Sequence, residues 1–261
     1  MPKIIGFFGS CPEDICMYAA YALQNAGKRV CVVDNSQEGI LFGCIPTPDG
    51  QMEAVTFHNV DFMRWEPVVE WQGLDYEFVL VQLGSTPQQL CLALCSERIL
   101  VTDCERGHLD YYHQLMQQSS MPVAVLLRSF CQGRNTAKKR KEYFAYGNRF
   151  IERWLLLPFD QADEAYRIEM QYGMLDQFPH ISAGMERVLV KLLQMLKIQD
   201  RTRMVRAVRD AKQGKTAAIA YAGSRAAGKA NAAKNTLGIC GYRKVQGICR
   251  KEESVENCIL E

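Results

Sequence analysis

The sequence predicts an α/β fold, a doubly wound and mostly parallel sheet with helices on both faces. Three observations predict it. Residues 3–8 (KIIGFF) and 29–33 (RVCVV) are short, continuously apolar runs, the pattern of strands buried on both faces. Between them, residues 14–26 carry Ile15, Ala19, Ala22 and Leu23 at helical spacing and stop at Gly27, where a left-handed residue is favoured. A strand, a helix and a second strand ending at Asp34 make the unit from which parallel sheets are built.

The alternation continues along the chain. Residues 77–83 (EFVLVQL) read as a strand, 87–95 as a short helix, 98–101 (RILV) as a strand and 108–118 as a helix. Residues 122–127 (PVAVLL) and 150–157 read as strands, the second broken by Pro158. Residues 161–173 and 183–196 read as helices, and Met185, Val188, Leu189, Leu192 and Leu196 form an apolar stripe on the latter. The least regular stretch is 39–71, with an extra strand or hairpin expected near 54–57 and 60–63. After Lys197 the composition changes: residues 201–234 are rich in Ala, Lys, Arg and Gly and show no strong core stripe. The expected organisation is therefore one α/β domain over 1–198 and a basic C-terminal tail over 199–261, helical or partly disordered.

Bulk properties narrow the class. A chain of 261 residues, 48% of them hydrophobic, buries one sizeable core. The net charge of +2 does not mark the whole chain as a nucleic-acid binder, but the charge is uneven. Residues 199–261 hold 13 basic and 6 acidic side chains, a net of +7, and residues 1–198 hold 18 and 23, a net of −5. The 11 cysteines sit mainly in apolar runs, as Cys31, Cys91 and Cys95 do, and read as free buried thiols. The chain starts without a secretory pattern, and no apolar run approaches the roughly 20 residues that span a membrane. The expected location is the cytoplasm.

The succession of pieces resembles the MinD/ParA family of dimeric P-loop ATPases over about residues 1–198. The first strand ends in a glycine loop followed by a helix, and the second ends in Val-Val-Asp34. Residues 76–82 look like a Walker B strand. Leu157-Pro158-Phe159-Asp160 is similar to the family's late Ile-Pro-x-Asp landmark. In general character the chain resembles the degenerate bacterial members attached to pilus assembly (the TadZ/CpaE-like type), which often carry a further N-terminal receiver-like domain.

In a working loop of this kind, backbone N–H groups at a helix N-terminus cradle the phosphates, a lysine grips them and a Ser/Thr hydroxyl holds Mg²⁺. Aligned on the family, the loop here is Gly9-Ser10-Cys11-Pro12-Glu13-Asp14-Ile15-Cys16. Gly9 is kept. The family's extra lysine falls on Ser10, its phosphate-gripping lysine on Ile15 and its Mg²⁺-binding threonine on Cys16. Its later glycines fall on Cys11, Pro12 and Asp14, and its Walker B aspartate on Gln82. Asp34 keeps the acidic residue after the second strand, whereas the next acidic position is Ser36. Pro12 removes a backbone donor. Glu13 and Asp14 put negative charge where a triphosphate would lie, and a thiol is a poor ligand for hard Mg²⁺. On their own, Glu13 and Asp14 read as capping residues at the positive end of a helix dipole. The candidates for a degenerate nucleotide site are Gly9, Ser10, Cys11, Asp14, Cys16 and Asp34. No catalytic or metal-binding residue is assigned.

The resemblance thus implies the fold and argues against the family's activity. The expected function is a non-catalytic pseudo-ATPase that localises or scaffolds a protein partner. For the pilus or secretion type that partner would be an assembly ATPase at the inner membrane, and the family implies a homodimer. This reading needs no cofactor and leaves ATP as a candidate ligand. The alternative is a nucleotide-binding switch that holds ATP through a divergent loop without efficient hydrolysis. A third reading, an enzyme of other chemistry, calls for a cleft near Asp34 or Asp103. The first expects a loop closed by side chains; the second expects an open cavity with free N–H groups.

The remaining signals are weaker. The tail offers nucleic acid Arg201, Arg203, Arg206, Arg209, Lys212 and Lys215, or offers a membrane Met204, Val205 and Val208 as anchors, or simply solubilises the chain. Lys138-Lys139-Arg140-Lys141 reads as a solvated helix face or a contact for an acidic partner or a phosphate backbone. Gly214-Lys215-Thr216 lacks the strand and first glycine of a P-loop. Cys240, Cys249 and Cys258 are spaced too widely for a zinc site. His58, His108, His113 and His180 form no motif.

Overall fold

The computed structural model describes residues 1–45, 54–64, 75–118, 121–131, 136–146, 150–172, 181–198 and 200–215. The chain divides into a compact unit, Met1–Ala218, and a second unit, Ile219–Glu261. Gly173, His180, Thr216 and the tail cysteines Cys240, Cys249 and Cys258 lie outside the described residues.

In chain order the elements are β1 (Lys3–Gly9), α1 (Glu13–Asn25), β2 (Val30–Asp34), α2 (Ile40–Gly43), β3 (Ala54–Phe57), β4 (Val60–Arg64), β5 (Phe78–Gln82) and α3 (Gln89–Leu94). There follow β6 (Glu97–Thr102), α4 (Arg106–Gln118), β7 (Val123–Phe130), α5 (Thr136–Ala145), β8 (Ile151–Pro158), α6 (Gln161–Met170), α7 (Ala183–Met195) and α8 (Arg201–Lys212). The eight strands form one sheet in the order β3-β4-β2-β5-β1-β6-β7-β8. The β3–β4 hairpin is antiparallel and the other pairings are parallel.

The direction of winding reverses around β1. From β1 the chain passes through α1 towards β2; from β5 it steps across β1 to β6 and then out to β8. Parallel crossovers are right-handed, so reversing direction moves the helices to the other face. Side-chain alternation shows the result. Ile5 and Phe7 of β1 pack with α1, α7 and α8, whereas Ile4 and Phe8 pack with residues of α3 and α4. The carboxyl ends of β1, β5 and β6 therefore border the crevice where an open sheet binds its ligands.

The continuous apolar runs predict the central strands because both faces are covered: every residue of β2 and β5 is buried. Pro158 closes β8 rather than interrupting it, as an edge strand permits, since β8 is hydrogen-bonded on one side to β7. The hairpin expected near 54–63 is present. Residues 138–141 lie on α5, with Lys138, Lys139 and Arg140 exposed.

One expectation is corrected. The domain boundary set at 198 falls inside the compact unit, and α8 is part of the core. Met204, Ala207, Val208 and Ala211 are buried, spaced three and four apart along one face, against α1 and α7. Small side chains let α8 approach α1 closely, which is why a stripe of alanines does not stand out in a hydrophobicity reading. Met204 and Val208 are therefore not available as membrane anchors. No helix among the described residues is long and apolar enough to cross a membrane. Met204→Ala is expected to cost about 2–5 kcal/mol in urea denaturation, as for a core methionine; a detachable tail would leave stability unchanged.

Candidate functional site at the β1–α1 loop

The loop begins with a glycine that nothing else can replace. Gly9 has φ +121°, and a Cβ there would lie 1.9 Å from the Val101 carbonyl oxygen. Its N–H donates to the Gly84 carbonyl (3.0 Å) and that of Ser10 to the Val101 carbonyl (2.8 Å), which ties the loop to the strands on either side. Cys11 is also left-handed, φ +52°, a conformation that a residue with a side chain adopts at a cost. Pro12 caps α1 without a side-chain hydrogen bond, and its carbonyl accepts from the Cys16 N–H at 3.0 Å.

A guanidinium spans this loop from within. Arg128 donates from Nη1 to Asp14 Oδ1 and from Nη2 to Asp14 Oδ2, each at 2.9 Å, and Nη1 also donates to the Cys11 carbonyl at 2.9 Å. This is the bidentate fork that suits arginine and carboxylate. The Arg128 side chain is 3% exposed and that of Asp14 0%. Glu164 of α6 stands 3.6 Å from Nη2. Burial works against the charge on Arg128, but the field and hydrogen bonds of Asp14, with Glu164 behind, outweigh it and hold its pKa above the ordinary value. The end of β7 aims the arginine: the register with β8 breaks between Arg128 and Phe130, and Ser129 takes φ +54°. Such a bulge re-aims a side chain. The Ser129 hydroxyl donates to Glu164, which also accepts from Arg167 Nε at 2.8 Å.

The second carboxylate is buried too. Gln82 Nε2 donates to Glu13 Oε1 at 3.0 Å, and Gln82 Oε1 accepts from the Gly84 N–H at 2.9 Å. Burial, reinforced by the charges of Asp14 and Asp34, pushes the Glu13 pKa up to about 7. The reading of Glu13 and Asp14 as caps is incomplete: Asp14 Oδ1 accepts from the first-turn Ile15 N–H at 2.8 Å, but both side chains face inward and each also has a partner from a distant strand. Cys16 is wholly buried, and burial with the nearby carboxylates keeps it a thiol. Asp34 is buried and accepts from the Ser36 N–H (3.1 Å) and hydroxyl (2.6 Å).

An open cleft of about 590 Å³ lies beside the loop at the carboxyl edge of the sheet. Ser10 and Cys11 line one side; Asp103, Glu105, Glu164 and Arg167 line others. Of the six sequence candidates, Ser10 and Cys11 thus reach the cleft, Gly9 shapes the loop, and Asp14, Cys16 and Asp34 are buried. On the β6–α4 connection His108 Nδ1 lies 2.9 Å from Asp103, and Glu105 completes a group with ligand atoms within 4.8 Å. Asp103 also accepts from the Glu105 N–H at 2.9 Å, the ordinary role of an acid at a helix start.

The residues present do not fit a Mg²⁺–triphosphate. Arg128 bridges the loop from the Cys11 carbonyl to Asp14, and Ile15 is buried in the core. Cys16 is enclosed, and the Gln82 side chain is engaged by Glu13 and the Gly84 N–H.

No family model matches this chain, and no curated protein does. Solved structures do. This chain is similar to structures of ParA and MinD proteins. One is a plasmid partition protein from Borrelia burgdorferi, 12% identical over 74% of this chain and 99% of that one, with a TM-score of 0.46. Another is a MinC:MinD cell division complex from Aquifex aeolicus, 10% identical over 78% and 94%, TM-score 0.49. A third is pNOB8 ParA bound to nonspecific DNA, 11% identical over 80% and 99%, TM-score 0.46. At these identities the fold rests on the strand order and crossovers described above.

Proposed function

We propose that this chain is a pseudo-ATPase: a non-catalytic protein on a MinD/ParA-like sheet that localises or scaffolds a protein partner. The observation that carries this reading is the buried Arg128–Asp14 pair across the loop, where a nucleotide-binding relative would present a lysine and open N–H groups. A guanidinium fixed by a carboxylate satisfies the loop permanently, so the fold holds its shape without a nucleotide. The partner proposed is an assembly ATPase of a pilus or secretion apparatus at the bacterial inner membrane, bound by a homodimer of this chain. Exposed Arg201, Arg206 and Arg209 of α8 leave a weak contact with nucleic acid or anionic lipid within this proposal.

A second reading, a nucleotide-responsive switch, draws on the 590 Å³ cleft beside the loop. Its charges disfavour a triphosphate. Asp103 and Glu105 face it, while Arg128 and Arg167 are already paired with Asp14 and Glu164. Each unit charge repels a like charge about 4 Å away by roughly 1–4 kcal/mol at surface-like dielectrics.

Affinity capture with the tagged full chain separates the two readings. The scaffold is expected to recover the same partner with ATP, with ADP and after nucleotide depletion by apyrase. Recovery that requires ATP would favour the switch.

A further inference from the structure

A second cavity, of about 470 Å³, lies at the opposite edge of the sheet, where β5 begins. Lys28, Lys197 and Arg203 line it together with apolar Ala26, Phe78 and Ile198. The backbone around it shows why these cations are not there merely to end helices.

Three helices close with the same pair of hydrogen bonds. In α1 the Gly27 and Lys28 N–H groups bond the Gln24 and Leu23 carbonyls at 2.8 and 3.1 Å. In α8 the Gly214 and Lys215 N–H groups bond Ala211 and Asp210 at 3.0 and 2.9 Å. In α7 the Lys197 and Ile198 N–H groups bond Gln194 and Leu193 at 3.0 and 3.2 Å. Each closure puts one residue in the left-handed region, at φ +75°, +67° and +64°. Glycine takes that place in α1 and α8, as its missing Cβ favours. In α7 the residue is Lys197, held in a conformation that costs stability and that glycine would adopt freely.

Lys197 lines the cavity, and its ammonium has no ion-pair or hydrogen-bond partner among the described residues. The same holds for the Arg203 guanidinium, which lies against the α1 turn so closely that a Cβ on Gly27 would be 2.6 Å from Nη2. Lys28, by contrast, is paired with Glu77 at 3.0 Å. The one carboxylate on the lining, Asp200, keeps its charge but turns to the α8 cap, accepting from the Thr202 and Arg203 N–H groups at 2.8 and 3.3 Å rather than pairing with either cation. The usual attraction of cations to helix C-termini is weakened here, because the closing N–H groups already take up end carbonyls. What remains is two uncommitted cations beside an apolar floor, in a cavity of ligand size.

The geometry points to a binding site for a small organic anion, with a phosphate or carboxylate head between Lys197 and Arg203. A compact aromatic or aliphatic body lies against Ala26, Phe78 and Ile198.

Isothermal titration of the full chain with 1-naphthyl phosphate tests this, with 1-naphthoate as the carboxylate arm and inorganic phosphate and 1-naphthol as half-ligand controls. Saturable binding of one naphthyl anion per chain is expected, about tenfold or more tighter than either control. Lys197→Gly and Arg203→Gln are each expected to weaken it by about tenfold or more, the loss of a charge-assisted contact. Lys197→Gly also relieves the backbone, so its melting temperature is expected to hold or rise, and lost binding then cannot be ascribed to unfolding. Failure of both naphthyl anions to bind, equal binding of 1-naphthol, or unchanged affinity in both variants would overturn the site.

Discussion

Replacing Arg128 with methionine is expected to destabilise the fold by about 3–5 kcal/mol, because it leaves the buried Asp14 carboxylate with the Ile15 N–H but without its charge partner. Total stability for a domain is typically about 5–15 kcal/mol, so the variant should lose a large part of it and express poorly in soluble form. Urea denaturation of the purified protein reads the change directly. The double variant Arg128→Met with Asp14→Leu should recover most of the loss, since an apolar pair of similar volume often replaces a buried ion pair without net cost. The recovery distinguishes a closure made of charge from one made of packing. A single-variant loss well under 1 kcal/mol would mean that the pair does not hold the loop in solution.

The second large effect is a pH dependence centred on Glu13. Its folded pKa of about 7 lies above its ordinary 4.5, so between those values the folded state binds the proton more tightly than the unfolded chain. The stability this contributes is fully present below about pH 4.5 and is lost as pH rises through about 7. The shift corresponds to roughly 3 kcal/mol across that window. Glu13→Gln keeps an acceptor for Gln82 Nε2 and cannot ionise. It should remove this component of the pH dependence and be the more stable protein at pH 8, while matching the parent near pH 4.5. Parallel stability curves for the two proteins from pH 4.5 to 8 would contradict the buried, acid-surrounded environment assigned to Glu13.

The sheet was legible because its central strands are covered on both faces and so read as unbroken apolar runs. The loop was legible by position. Gly9 keeps a backbone shape that forbids a side chain, and Gln82 lands beside the loop because β1 and β5 pair in register. Arg128 was not legible, since its partner Asp14 lies 114 residues away and a charge at the end of a strand looks the same whether it faces solvent or the core. The burial of Glu13 and Asp14 was hidden for a related reason: an acid in the first turn suits the helix dipole whether exposed or buried. α8 was undervalued because hydrophobicity favours large side chains, whereas Ala207 and Ala211 pack by being small.

The central claim is that the β1–α1 loop is closed by the protein's own arginine. Equilibrium binding of a fluorescent ATP analogue to the full chain, with and without Mg²⁺, tests it most directly. The account predicts no saturable binding up to millimolar nucleotide under either condition. Micromolar, Mg²⁺-dependent binding would contradict it, because the Arg128–Asp14 pair would then have to open to admit a triphosphate.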